Sequence, residues 1–144
     1  MIWLLVALVA IVFALPFLAE ARRPVMDDDA RVNAPGHFAE LSQGVTHYRW
    51  FGGVRGPVAV CVHGLTTPGF VWTQIAEELA SMGYRVLVYD LYGRGYSDRP
   101  EGRQDEAFFV RQMEDLLAHQ KVADDMKQRS AKVAVTLGTS HKDP

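Results

Sequence analysis

Three short stretches of the sequence hold residues that could do chemistry, and each follows a run of apolar residues. They are His63-Gly64-Leu65-Thr66-Thr67-Pro68 after residues 58–62, Asp90-Leu91-Tyr92-Gly93-Arg94-Gly95-Tyr96-Ser97 after residues 84–89, and Gly138-Thr139-Ser140-His141 after residues 133–137. Ser140 is a hydroxyl next to a strand end, but a serine is a weak nucleophile without a base. His141 cannot easily be that base, because neighbouring side chains on an extended segment point to opposite faces. His47 on an edge hairpin and His119 late on a helix read more simply as surface or dipole-compensating residues. The Gly93-Arg94-Gly95 turn invites comparison with a dinucleotide loop. That loop needs a third glycine and an immediate helix, whereas Tyr96-Ser97-Asp98-Arg99-Pro100 follows here. No glycine-lysine phosphate loop and no His-x-x-x-His pair is present, Asp27-Asp28-Asp29 lacks calcium-loop spacing, and Cys61 stands alone. No cofactor and no metal is expected.

These stretches need elements to position them. Residues 38–41 and 45–51 are β-rich runs around Ser42-Gln43-Gly44, which predicts a hairpin. Residues 58–62 (Val-Ala-Val-Cys-Val) and 84–90 (Tyr-Arg-Val-Leu-Val-Tyr-Asp) have the continuous apolar character of strands covered on both faces. Between them, Thr66-Thr67-Pro68 offers a helix start, Trp72, Ile75, Leu79 and Met82 recur at helical spacing, and Gly83 marks the end. A second helix is expected from Asp105 to about Lys121, with Phe109, Met113, Leu116 and Leu117 on one stripe. A third parallel strand fits residues 133–137. The fold class is therefore α/β, a mainly parallel sheet with flanking helices. In such sheets reactive groups gather at the carboxyl ends of the strands.

The His63-Gly64 turn after one strand and the Asp90-x-x-Gly93-x-Gly95-x-Ser97 turn after the next, separated by one helix, strongly resemble the α/β-hydrolase superfamily. The resemblance covers about residues 38–121. It implies an oxyanion hole at His63-Gly64-Leu65, with the Leu65 amide as the donor to developing negative charge. It implies that His63, Gly64, Asp90, Gly93, Gly95 and Ser97 shape the loops. In serine members a Gly-x-Ser-x-Gly elbow follows the next strand, which would make Ser140 the nucleophile and the His141 amide the second oxyanion donor. Lys142 replaces the last glycine, and the acid and histidine of a triad, which come later in chain order, have no counterpart before Pro144. The resemblance thus implies the amino-terminal half of a hydrolase of small-molecule esters or lipid-like acyl substrates, truncated and incomplete as it stands. Residues 127–144 are either a divergent elbow or an unrelated tail. Aspartate-nucleophile chemistries of the same fold stay open, and so does a non-catalytic half domain that self-associates through an unpaired sheet edge.

The domain plan is an apolar segment at 1–21, a linker at 22–36 and a partial hydrolase domain at 37–144. Residues 1–19 contain no charge, and as a helix they would be about 28 Å long, close to a bilayer core. This predicts a transmembrane anchor through residues 2–19, with Arg22 and Arg23 keeping the globular part cytoplasmic. The alternative is a signal peptide cleaved at Ala19-Glu20-Ala21 and export. The 144 residues carry a formal net charge of -2, with 22% charged residues, which gives no electrostatic reason to expect nucleic acid.

Overall fold

The computed structural model describes residues 2–21, 26–122 and 134–137. The chain forms helix α1 (Ile2–Ala21), a short α2 (Asp28–Arg31), strands β1 (His37–Leu41), β2 (Gly44–Phe51) and β3 (Val58–Val62), and a 3-10 turn (Gly69–Trp72). Helix α3 (Thr73–Ser81), strand β4 (Arg85–Tyr89), helix α4 (Glu106–His119) and strand β5 (Ala134–Leu137) follow. The five strands make one sheet in the order β1-β2-β4-β3-β5.

The sheet is mixed, which corrects the expectation of a mainly parallel one. Leu41 pairs with Gly44 across a two-residue turn, and a connection that short allows only an antiparallel pair. Strand β2 then lies antiparallel to β4, with Tyr48 opposite Tyr89. Only the inner strands joined by crossovers are parallel: Val60 pairs with Leu87 of β4 on one side and Val135 of β5 on the other.

Side-chain alternation along the central strands divides the core between two faces. Val58, Val60, Val62, Leu87 and Tyr89 face one way and pack with Leu116 and the half-buried Phe109, Met113 and Leu117 of α4. Ala59, Cys61, Val86 and Val88 face the other way and meet Ala76, Trp72 and Leu79 on the α3 side. All five residues of β3 are buried, as a strand sandwiched between helix layers requires. Helix α4 follows its sequence pattern, with the Asp105 carboxylate capping its start by accepting from the Phe108 amide at 3.1 Å. Helix α3 departs from its pattern. Its regular part begins only at Thr73, and the fully buried residue is Ala76, while Ile75 and Met82 are exposed. A small residue lets α3 sit close to β4; Leu79 packs beside it, and Ile75 and Met82 are turned outward.

The stretch read as a linker contains α2, whose Arg31 reaches across to Asp98 and to the Tyr96 carbonyl. Asp27 caps this helix, accepting from the Ala30 amide at 2.9 Å. At the amino terminus α1 runs through Pro16 without ending. Its side chains from Leu8 to Leu18 are solvent-exposed, Phe13 and Phe17 most of all. Among the described residues no helix is long and apolar enough to cross a membrane. The transmembrane span expected of residues 2–19 is therefore not supported by the described part of the fold.

Candidate active site

The carboxyl ends of β3 and β4 lie side by side, since Val62 pairs with Tyr89 in parallel register. Each end releases a loop, and the two loops are tied by side chains from the strands themselves. Leu137 of β5 pairs with Val62 in the same sense, so a third strand end reaches this edge.

At the β4 end, Asp90 is 4% exposed and its carboxylate is fully engaged. Oδ1 accepts from the Gly69 amide at 2.6 Å. Oδ2 accepts from His47 Nδ1 at 2.8 Å and from the Tyr96 amide at 3.1 Å. Burial alone would raise the Asp90 carboxyl, but the bonds from His47, Gly69 and Tyr96 outweigh it and hold the group below the usual aspartate range. The Asp90 carbonyl is also used, accepting from Ser97 Oγ at 2.7 Å and Gln112 Nε2 at 3.0 Å. Ser97 Oγ in turn accepts from the His47 amide at 3.0 Å, which ties the loop to β2. Gly95 sits at φ +51, and a Cβ there would lie 2.0 Å from Asp90 Oδ2, so only glycine fits. The Gly93 amide donates to the Asp98 carbonyl at 2.7 Å and closes the turn.

At the β3 end, His63 is 3% exposed. Its Nε2 accepts from the Leu91 amide at 2.9 Å, and its Nδ1 donates to the Gly64 carbonyl at 2.6 Å. Burial, the largest influence, pulls the His63 ring below the usual histidine range, and Arg94 adds to that, against opposing contributions from the Gly64 carbonyl and Asp90. Leu65 is exposed, and its carbonyl accepts from Arg94 Nε. Its amide has no acceptor among the described residues. A Cβ on Gly64 would meet nothing within 4 Å, so the space above this turn is open. An apolar cavity of about 350 Å³ adjoins it, lined by His63, Leu65, Leu91, Phe109, Val110 and Met113 among others. A second cavity of about 370 Å³ lies on the other face of the sheet, beside His47, Arg49, Phe70 and Tyr96.

The structure therefore gathers His63, Gly64, Leu65, Asp90, Gly93, Gly95 and Ser97 at adjoining strand ends. Ser140 and His141 lie outside the described residues, and so does most of the stretch 127–144. One reading from sequence needs correction. His47 is not a surface residue: it is 5% exposed, because β2 is an inner strand between β1 and β4 and its ring turns toward Asp90. Tyr92 is fully buried, with its hydroxyl donating to the Gly44 carbonyl at 3.0 Å. Gln112, fully buried between Asp90, Tyr92 and Thr46, was missed altogether, since a polar residue on an amphipathic helix reads as solvent-facing. Among the described residues no group of three or more His, Cys, Asp or Glu gathers that could hold a metal ion.

Residues 57–124 match the family described as the alpha/beta hydrolase fold. A haloalkane dehalogenase from Mycobacterium marinum is 43% identical over 54 residues, which is 38% of this chain and 18% of that protein. An enol-lactonase from Burkholderia xenovorans superposes with a TM-score of 0.59 at 26% identity, covering 69% of this chain and 36% of that one. An epoxide hydrolase from Vigna radiata superposes with a TM-score of 0.55 at 25% identity, over 59% of this chain and 28% of its own. The strand-end geometry and these matches together show an α/β-hydrolase-like fold. The matched part spans about a fifth of the dehalogenase and about a third of the lactonase.

Proposed function

We propose that this chain supplies the oxyanion-binding part of a hydrolase acting on small-molecule esters or related acyl substrates. The observation that carries this reading is the amide of the exposed residue Leu65, which has no acceptor among the described residues, in a strand-end loop that is otherwise tied down. A donor fixed before the reaction stabilises a developing oxyanion at little reorganisation cost. The Leu65 side chain adds no hydrogen-bonding group, so the loop offers backbone donors, which suit a carbonyl oxygen. The neighbouring lactonase structure favours the same substrate class. In this reading Ser140 is the attacking hydroxyl and the His141 amide the second donor, three and four residues beyond the end of β5.

The test is hydrolysis of p-nitrophenyl butyrate by the full chain. Oxyanion stabilisation and binding without a complete triad leave about 10³-fold acceleration over water. Leu65→Pro removes the amide proton and should abolish that acceleration, while Ser140→Ala should abolish labelling by a fluorophosphonate probe. Turnover at the blank rate in a folded chain, or turnover indifferent to Leu65→Pro, overturns the reading.

A second reading is a non-catalytic half domain that pairs with a partner or with itself. It is favoured by β5, which has a neighbour on one side only among the described residues. Size-exclusion chromatography of an inactive but folded chain decides for it if a dimer forms and against it if a monomer does. For the amino terminus we propose a membrane tether through residues 2–19 with the globular part cytoplasmic, supported by the exposed apolar side chains from Leu8 to Leu18. Retention in the membrane fraction after carbonate extraction is expected. A mature chain beginning near Arg22 would instead establish cleavage and export.

A further inference from the structure

The Gly64–Leu65 peptide is held from one side only. A trans peptide is planar, with its carbonyl and N–H pointing in opposite directions. Its carbonyl is the Gly64 oxygen, and that oxygen accepts from His63 Nδ1 at 2.6 Å. The N–H of the same plane is the Leu65 amide, which must therefore point away from the His63 ring. The ring itself has little freedom, because its Nε2 accepts from the Leu91 amide at 2.9 Å, across on the β4 side. A nitrogen that accepts carries no proton, and one that donates to a carbonyl must carry one. Both contacts together admit a single form of the ring, neutral and protonated on Nδ1.

We propose that His63 is a positioning residue: as the neutral Nδ1–H tautomer, braced by the Leu91 amide, it sets the Gly64–Leu65 peptide plane and so aims the Leu65 amide. This rests on the proposed oxyanion role for its functional meaning, but the geometry stands without it. The second tie is Arg94, whose guanidinium binds the Leu65 carbonyl and so fixes the next peptide in line. The two strand ends are thus coupled through one ring and one guanidinium.

The arrangement predicts its own failure in acid. A proton on Nε2 would set two N–H groups, those of His63 and Leu91, against each other. Asp90 Oδ1, 3.9 Å away, is the nearest counter-charge to which the ring could turn. The other titratable or charged groups around the ring are Arg94, Glu106 on α4 and Tyr89 on β4. Burial of the ring places the transition below the ordinary histidine range.

The experiment is a pH titration of the full chain labelled with ¹⁵N-histidine and ¹⁵N-leucine, read by long-range proton–nitrogen correlation. The expected result is a neutral Nδ1–H ring for His63 at pH 7 and a Leu65 amide resonance that shifts with the same midpoint as the ring, below pH 6.5. His63→Gln keeps an acceptor within reach of the Leu91 amide but loses the donor to Gly64. It should retain protection of Leu91 against hydrogen exchange while the Leu65 resonance moves. An Nε2–H tautomer, a charged ring at pH 7, or a Leu65 amide blind to the His63 transition overturns the proposal. These readouts do not use turnover, so an inactive chain with the stated tautomer refutes the hydrolase reading and leaves this one standing. If the chain is active, His63→Gln should lower kcat about tenfold or more with KM little changed. A fall confined to KM contradicts a role in aiming the donor.

Discussion

The two loops at the strand ends are built in opposite ways. The β4 loop is closed on itself: Asp90 has every carboxylate oxygen engaged, Ser97 bridges to β2, and Gly95 is packed against the carboxylate. The β3 loop is held at two carbonyls, those of Gly64 and Leu65, and leaves an amide and an open space above it. One loop is scaffold, and the other presents a donor. Buried polar groups stabilise only when all are satisfied, so a donor left free is found where the backbone faces outward.

Substitutions that break the β4 scaffold should have the largest effect. Asp90→Ala removes the acceptor of two amides and of the His47 ring in a buried site, and a loss of about 3–5 kcal/mol is expected in denaturant unfolding. Gly95→Ala should cost about 3 kcal/mol, because the methyl meets the Asp90 carboxylate at a backbone angle that disfavours side chains. The matched glycine of the β3 loop gives the sharpest contrast. Gly64→Ala meets nothing within 4 Å and should change stability by no more than about 0.5 kcal/mol, while lowering ester hydrolysis by crowding the approach to the Leu65 amide.

Acid should separate the loops in time. Both His63 and Asp90 have lowered values in the folded protein, so the unfolded chain binds protons first and stability falls as the pH falls. For His63 the loss begins near the unfolded value of about 6.5 and continues toward its folded value. For Asp90 it begins near about 3.9. Thermal unfolding followed against pH should therefore show two descending steps, and His63→Gln should erase the upper one alone.

Much of this contrast was legible in the sequence. The continuous apolar runs located β3 and β4, the glycine spacing located the β4 turn, and the stripe on α4 located its buried face. The sheet's mixed character was hidden in plain view, since the hairpin of β1 and β2 already demanded an antiparallel pair and only the crossover strands were counted. His47 and Gln112 were not legible, because their burial depends on strands and helices distant in sequence that meet at Asp90. The outward turn of Ile75 and Met82 was misread for a related reason: helical spacing gives a stripe but not the residue at its centre, here the small Ala76.

Hydrogen exchange at single amides tests the contrast most directly. Gly69, Leu91 and Tyr96 donate to Asp90 or His63, and their amides should exchange at least about 10²-fold more slowly than an unstructured peptide. The Leu65 amide, at the same edge of the sheet in an open turn, should exchange at close to the unstructured rate. Protection of Leu65 equal to that of Tyr96 would show that its N–H is already spent on an acceptor, and the donor on which the account depends would not exist.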